Sequence, residues 1–177
     1  MTRRPSSLQP KLARIRLLLC DVDGVLTDGS VWMGNGVETK RFHIRDGLGL
    51  RILQKQGVKV GWISRRSSPA TSARAADLKI DFLHQGDEDK VSVVEGLLAA
   101  QGLDWKAVCF VGDDILDLGV LKRAGVSVAV ADAVAEVRRA VEYVTREAGG
   151  RGAVREVVEM ILRAQGRWDV VVKEYAS

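Results

Sequence analysis

Two carboxylates stand one residue apart at the end of an apolar run: in LLLCDVDG, residues 17–24, Asp21 and Asp23 follow Leu17, Leu18, Leu19 and Cys20. Residues i and i+2 of an extended strand face the same way, so both acids leave the strand end toward one space and repel each other unless a cation holds them. Two more polar sites close apolar runs in the same manner: Ser64 ends VKVGWIS (58–64), and Gly112-Asp113-Asp114 ends AVCFVG (107–112). If these runs are parallel strands of one sheet, their carboxyl ends meet at the edge where open α/β sheets bind ligands. Clustered carboxylates, with carbonyls and water, form an all-oxygen site that suits Mg²⁺.

The elements that would position these groups can be read from periodicity. IRLLLC (15–20), VKVGWIS (58–64), AVCFVG (107–112) and VSVAV (126–130) are compact apolar runs, as strands buried on both faces should be. Helical spacing appears between and after them: Val91, Val94, Leu97 and Leu98; Val134, Val137 and Val141; Val154, Val157, Val158, Ile161 and Leu162. Alternating strands and helices predict an α/β fold with a parallel sheet and helices on both faces. SVWMGNGVETKRFHI, 30–44, breaks the rhythm, and Gly34-Asn35-Gly36 between β-prone flanks predicts a hairpin flap beside the first pair of acids. Residues 1–13 are polar and proline-bearing and read as a loose arm; the rest of the 177 residues reads as one domain.

Composition narrows the function classes. Apolar residues make up 46% and charged residues 28%, the profile of a globular chain rather than a disordered one. The excess of 27 basic over 23 acidic residues is spread along the chain with no Lys/Arg block, so a nucleic-acid partner is not expected and a small anionic substrate is. Cys20 and Cys109 both sit in apolar runs and read as core residues of a reducing compartment. No apolar run approaches a membrane span, and no apolar segment follows Arg3-Arg4 as an export signal requires, so the expected location is the cytoplasm with no membrane partner.

DVDGVLTDG, the strand-terminal Ser64 of VGWISRR, Lys90 of QGDEDK and GDDILD at 112–117 resemble, in order, the four motifs of the haloacid dehalogenase superfamily of aspartate-nucleophile phosphatases. MGNGVETKRFHIRDGLGLR, VGDDILDLGVL, GVSVAVADA and YVTREAGGRGAVREV are similar to its small, capless branch, represented by 3-deoxy-D-manno-octulosonate 8-phosphate (KDO 8-P) phosphatases. The resemblance covers nearly the whole chain. It implies a three-layer α/β/α Rossmann-like fold without a cap domain, and Mg²⁺-dependent hydrolysis of a sugar phosphate in lipopolysaccharide biosynthesis. It also implies roles: Asp21 as nucleophile, Asp23 as general acid and base, Ser64 and Lys90 on the phosphoryl oxygens, and Asp21, the backbone carbonyl of Asp23 and Asp113 on the metal. Asp114 and Asp117 fit positions that support the metal ligands or end a helix. Where relatives read Thr-Gly-Arg, this chain reads Ser64-Arg65-Arg66, which keeps a hydroxyl and the arginine but replaces the glycine.

Other residues carry weaker signals. Arg66, and Arg151 in GGRGAVRE, are candidates for the carboxylate of a keto-acid sugar, to which a guanidinium presents a planar fork. Asp46 reads as the N-cap of the helix that follows it, and His43 and His84 lack metal-ligand spacing. With no room for a lid, neighbouring subunits would have to cover the site, and the resembled branch forms homotetramers. The flap's Trp32 reads as an interface residue, and the tail GRWDVVVKEYAS (166–177) as a segment that packs on a neighbour. Alternatives left open are a KDN or sialic acid 9-phosphate substrate, a silent oligomerisation domain, and a phosphorylated receiver domain.

Overall fold

Strand order brings the chemistry-bearing ends together. The structure, a computed structural model, describes residues 8–176. Its main sheet contains β1 (Leu17–Cys20), β4 (Lys59–Ser64), β5 (Phe82–Gln85), β6 (Val108–Gly112), β7 (Val126–Ala129) and β8 (Tyr143–Val144). All pairs are parallel and the spatial order is β5-β4-β1-β6-β7-β8. The chain therefore winds from β1 outward to β5, then returns to the other side of β1 for β6. The strand order reverses between β1 and β6, and the crevice at the carboxyl ends of that pair is where such sheets bind ligands.

Strands buried on both faces need apolar side chains in unbroken runs. Leu17, Leu18, Leu19 and Cys20 of β1 and all of β6 are buried, which is why those runs are visible in the sequence. The edge strands β5 and β8 are only partly buried; β5 ends in His84 and Gln85 and β8 is two residues long, so neither forms such a run. The predicted hairpin is β2 (Trp32–Gly34) paired antiparallel with β3 (Val37–Thr39); Asn35 (φ 50°) and Gly36 (φ 73°) make its turn.

The helices form two packed groups that flank the sheet. One comprises α1 (Gln9–Leu12), α2 (Ile44–Lys55), α7 (Ala153–Ala164) and α8 (Trp168–Ala176); the other α4 (Lys90–Gln101), α5 (Leu118–Leu121) and α6 (Ala135–Ala140). α3 (Pro69–Asp77) is the only helix between β4 and β5, so no cap domain is inserted there. Val154, Val157, Val158, Ile161 and Leu162 of α7 are all buried, as their spacing predicts. Fully burying each such side chain contributes about 1.5–3 kcal/mol, which anchors the glycine turn that precedes the helix. In the stripe around α6 only Val137 is buried by a helix; Val134 and Val141 are extended residues at its two ends.

Two expectations change. Residues 1–7 of the expected loose arm lie outside the described residues, but Leu8 and Leu12 bracket α1 and are buried, so the second half of that segment is part of the core. The tail, read as a segment that packs on a neighbour, forms a helix that seats part of its apolar surface on its own chain. Gly166, at φ 69°, turns it into α8, whose Trp168 and Val171 are buried and where Arg155 and Arg163 lie over the Trp168 ring at 5.0 and 5.3 Å. Its i, i+3 spacing supplies one inward face and leaves Val170, Val172 and Tyr175 exposed.

Candidate active site

Asp21 begins where β1 ends, and its backbone N–H still donates to Val111 of β6 (3.0 Å), which pins the first acid to the crevice. The turn after it is closed by Thr27, whose Oγ1 accepts from the N–H groups of Gly24 (3.3 Å) and Gly29 (3.2 Å). Gly24 has φ 91°, and a Cβ there would lie 2.0 Å from Asp113 Oδ2, so only glycine lets this turn pass under the second acidic loop.

The centre of the cleft is a buried lysine between two acids. Lys90, the first residue of α4 and 5% exposed, donates from Nζ to Asp21 Oδ1 (2.6 Å) and Asp117 Oδ1 (2.7 Å). Asp117 Oδ2 accepts from the backbone N–H groups of Asp113 (3.0 Å) and Asp114 (3.4 Å). Asp117 thus fixes both the lysine and the loop after β6. Asp114, which also lines the cleft, accepts from the Ile115 N–H and, with Asp117, closes a reciprocal cap on the turn at Ile115–Asp117.

The carboxylates are left short of positive charge. Burial first, and then Asp117, pushes Asp21 up to about 6 against the pull of Lys90. Burial, then Asp21, Asp117 and Asp114, pushes Asp113 up to about 8, and its buried Oδ1 has no hydrogen-bond partner. One oxygen from each of Asp21, Asp113 and Asp117 lies within 4.8 Å of the others. Both Asp117 oxygens are already engaged, whereas Asp113 Oδ1 is free. This donor set of hard oxygens with an orphaned carboxylate fits a divalent cation such as Mg²⁺.

Asp23, at the mouth, forms an ion pair with Lys40 Nζ (2.7 Å). The Lys40 side chain is fully buried although it comes from the flap, and it also donates to Thr71 Oγ1 (3.2 Å). Lys40 escaped the sequence reading, yet a signal existed: Glu38 and Lys40 are i and i+2 on a hairpin placed beside the acids, so both must face the same way.

Ser64 ends β4 and is buried; its Oγ accepts from the Arg66 N–H and donates to the Arg66 carbonyl, both at 3.1 Å. Arg65 takes no strained backbone conformation in place of glycine, and its guanidinium donates to the Asp87 carbonyl (2.9 Å), tying this loop to the one before α4. Arg66 lines the same cleft as Asp21, Asp23, Ser64, Lys90 and Asp113, and pairs with Glu38 of β3 (2.6 Å). Arg151 is not brought into that cleft. It lines a neighbouring recess with Asp28, Trp32, Thr39, Lys40 and Arg41, 3.9 Å from Asp28 Oδ2.

Asp46 does cap a helix, but not its own. His43 is the N-cap residue of α2, while the Asp46 side chain, two residues into that helix, accepts from the backbone N–H groups of Gly152 (3.2 Å) and Arg155 (2.7 Å) at the start of α7. Sequence proximity could not reveal a partner more than a hundred residues away. Neither His43 nor His84 joins a metal-capable cluster among the described residues.

Residues 65–157 match the family model of haloacid dehalogenase-like hydrolases. An Escherichia coli (strain B / BL21-DE3) relative described as 3-deoxy-D-manno-octulosonate 8-phosphate phosphatase is 44% identical over 165 residues, covering 93% of this chain and 88% of the relative. A Moraxella catarrhalis 3-deoxy-D-manno-octulosonate 8-phosphate phosphatase solved with magnesium, phosphate and KDO superposes with a TM-score of 0.94, at 36% identity, over 96% of this chain and 98% of that one. The cobalt-bound enzyme of Haemophilus influenzae superposes with a TM-score of 0.86, at 41% identity, over 90% of this chain and 94% of that one. On the geometry of its cleft and this identity over nearly its whole length, the chain belongs to the 3-deoxy-D-manno-octulosonate 8-phosphate phosphatases of the haloacid dehalogenase-like hydrolases.

Proposed function

We propose that the protein is a Mg²⁺-dependent phosphomonoester hydrolase that converts KDO 8-P to KDO and inorganic phosphate, supplying the sugar for lipopolysaccharide. The observation that carries this reading is the buried Lys90 held 2.6 Å from Asp21, with the orphaned Asp113 oxygen beside them at the ends of adjacent strands. The Moraxella catarrhalis relative, which binds magnesium, phosphate and KDO, supports the choice of metal and substrate.

Asp21 attacks phosphorus as the bond to the sugar oxygen breaks, and Asp23 gives that oxygen a proton. Water then attacks the aspartyl phosphate, Asp23 takes the water's proton, and phosphate leaves with Asp21 restored. Splitting the displacement in this way and supplying the proton in place contributes typically about 10²–10⁴ in rate from the acid and base alone. Lys90 holds Asp21 in line and faces the charge that builds on the phosphoryl oxygens, while Ser64 offers them its hydroxyl. Lys40 fixes Asp23 at the mouth of the cleft. Asp21, Asp113 and the backbone carbonyl of Asp23 would hold Mg²⁺, which neutralises the approach of one anion to another when bound.

The reading extends to assembly and location. A homotetramer is supported by the flap, which exposes Trp32 (68%), Met33 (72%) and Val37 (59%), an apolar surface that a second copy would cover. The cytoplasm is supported by the free, buried Cys20 and Cys109; no helix among the described residues is long and apolar enough to cross a membrane. The deciding experiment measures phosphate release with Mg²⁺ from KDO 8-P alongside other keto-acid and simple sugar phosphates. Preference for KDO 8-P that disappears in Asp21→Asn is the expected result. Equal release across the panel overturns the substrate, and no release from any member overturns the activity.

A further inference from the structure

Beside the reactive cleft lies an anion site that the chain fills with one of its own side chains. Glu38 reaches from β3 of the flap so that Oε2 accepts from Arg66 Nη2 (2.6 Å) and Oε1 accepts from Ser68 Oγ (2.6 Å), with Lys40 Nζ at 3.7 Å from Oε1. The donors belong to the body of the protein. Ser68 is 2% exposed, its backbone N–H donates to Gln85 Oε1 (2.9 Å), and its hydroxyl accepts from Thr71 N–H (3.4 Å) as the N-cap of α3. The carboxylate therefore sits against a guanidinium, a buried hydroxyl and the positive end of a nine-residue helix, three features that each favour an anion. The Ser68 hydrogen bond and the Arg66 charge hold Glu38 below its ordinary carboxyl range.

The anion, by contrast, comes from the flap, outside the main sheet. β2 and β3 form a separate two-stranded hairpin, and such an isolated pair is marginally stable on its own. The site is also in the right place for a substrate with charge at both ends. Arg66 shares the cleft with Asp21 and lies two residues from Ser64, so their backbones are at most about 7 Å apart. An eight-carbon keto acid phosphorylated at its far end carries its carboxylate away from its phosphate, and such a group would find its donors at Arg66 and Ser68.

Resting on the function proposed above, we infer that Glu38 is an internal stand-in for the substrate's carboxylate: the acid sugar displaces it from Arg66 and Ser68, and this competition lowers the affinity for carboxylated ligands. An entering carboxylate replaces one pair with Arg66 by another, so little is lost on displacement. A sugar phosphate without a carboxylate makes no exchange, so Glu38 leaves its affinity unchanged. Selectivity for the carboxylate arises from the contact with Arg66 and Ser68, and the competition from Glu38 tempers it.

The test compares KM for KDO 8-P with KM for ribose 5-phosphate, which has no carboxylate, and measures KDO binding by calorimetry with Mg²⁺ and inorganic phosphate present. Glu38→Gln keeps the shape of the side chain and removes its charge. Its ratio of KM for ribose 5-phosphate to KM for KDO 8-P should rise about tenfold, and KDO should bind about tenfold tighter. Ser68→Ala should lower the same ratio about tenfold. If Glu38 only ties the flap down, Glu38→Gln binds KDO no better than the wild type and the ratio stays or falls; either result overturns the inference. Failure of the functional reading shows differently, as no phosphate release from KDO 8-P by the wild type, and the calorimetric comparison judges Glu38 without turnover.

Discussion

Lys90→Met removes the one cation at the centre of the acidic cleft while keeping most of the side chain's bulk. In the wild type its Nζ bridges Asp21 at 2.6 Å and Asp117 at 2.7 Å, and all three groups are nearly excluded from water. Breaking a buried ion pair from one side costs about 3–5 kcal/mol, because the partner is left charged and unsolvated. At about 2–4 °C per kcal/mol for a domain of this size, the metal-free variant should melt roughly 6–20 °C below the wild type. The pH dependence has a definite sign. Asp21 and Asp113 are raised from 3.8 to about 6 and about 8, so the folded state binds protons that the unfolded state has released, and stability falls as pH rises from about 4 to about 8. Without Lys90 both acids rise further, so the deficit should be widest near pH 8 and should shrink toward pH 5. Mg²⁺ should recover part of it, while kcat falls by about 10²–10³ with the loss of charge facing the phosphoryl group. Calorimetric melts across pH, with and without Mg²⁺, read the first effect and phosphate release the second. A metal-free variant within about 1 kcal/mol of the wild type at pH 8, or a deficit that grows on acidification, would refute the reasoning.

Asp113→Asn removes the acid with the largest upward displacement, so the metal-free protein should become more stable near pH 8, lose part of its pH slope, and no longer gain melting temperature from Mg²⁺. Asp46→Ala deprives α7 of two backbone caps and should cost about 2–3 kcal/mol in urea unfolding; a loss under about 0.5 kcal/mol would mean the Gly152 and Arg155 N–H groups find other partners. Gly149→Ala places a Cβ 1.7 Å from the Gly24 carbonyl oxygen, so it should shift the turn that carries Asp23 and lower both melting temperature and kcat/KM at least tenfold in the latter, on the order expected for a misplaced catalytic group. Gly96→Ala, in α4 with open space around its Cβ, should instead stabilise by about 0.5–1 kcal/mol, and serves as the paired measurement.

The sequence by itself determined the parallel α/β core and the placement of Asp21, Ser64 and Asp113 at the carboxyl ends of its strands. Strands buried on both faces must be written in unbroken apolar residues, and a polar residue that ends such a run has to lie at the sheet edge; β1, β4 and β6 announce Asp21, Ser64 and Asp113 in that way. Only the tertiary structure decided which groups pair. Lys90 could have been a solvated first-turn lysine until α4 packed on α5 and brought it to Asp21, and Asp117 could have been any helix-end acid until it closed on Lys90 and the β6 loop. Lys40 and Glu38 sit on a short polar hairpin whose local pattern says nothing of burial, and Asp46 caps a helix that begins more than a hundred residues later. Hydrophobic periodicity is local and survives in one dimension. Charge pairing is set by distance in three, between side chains whose separation along the chain carries no record of it.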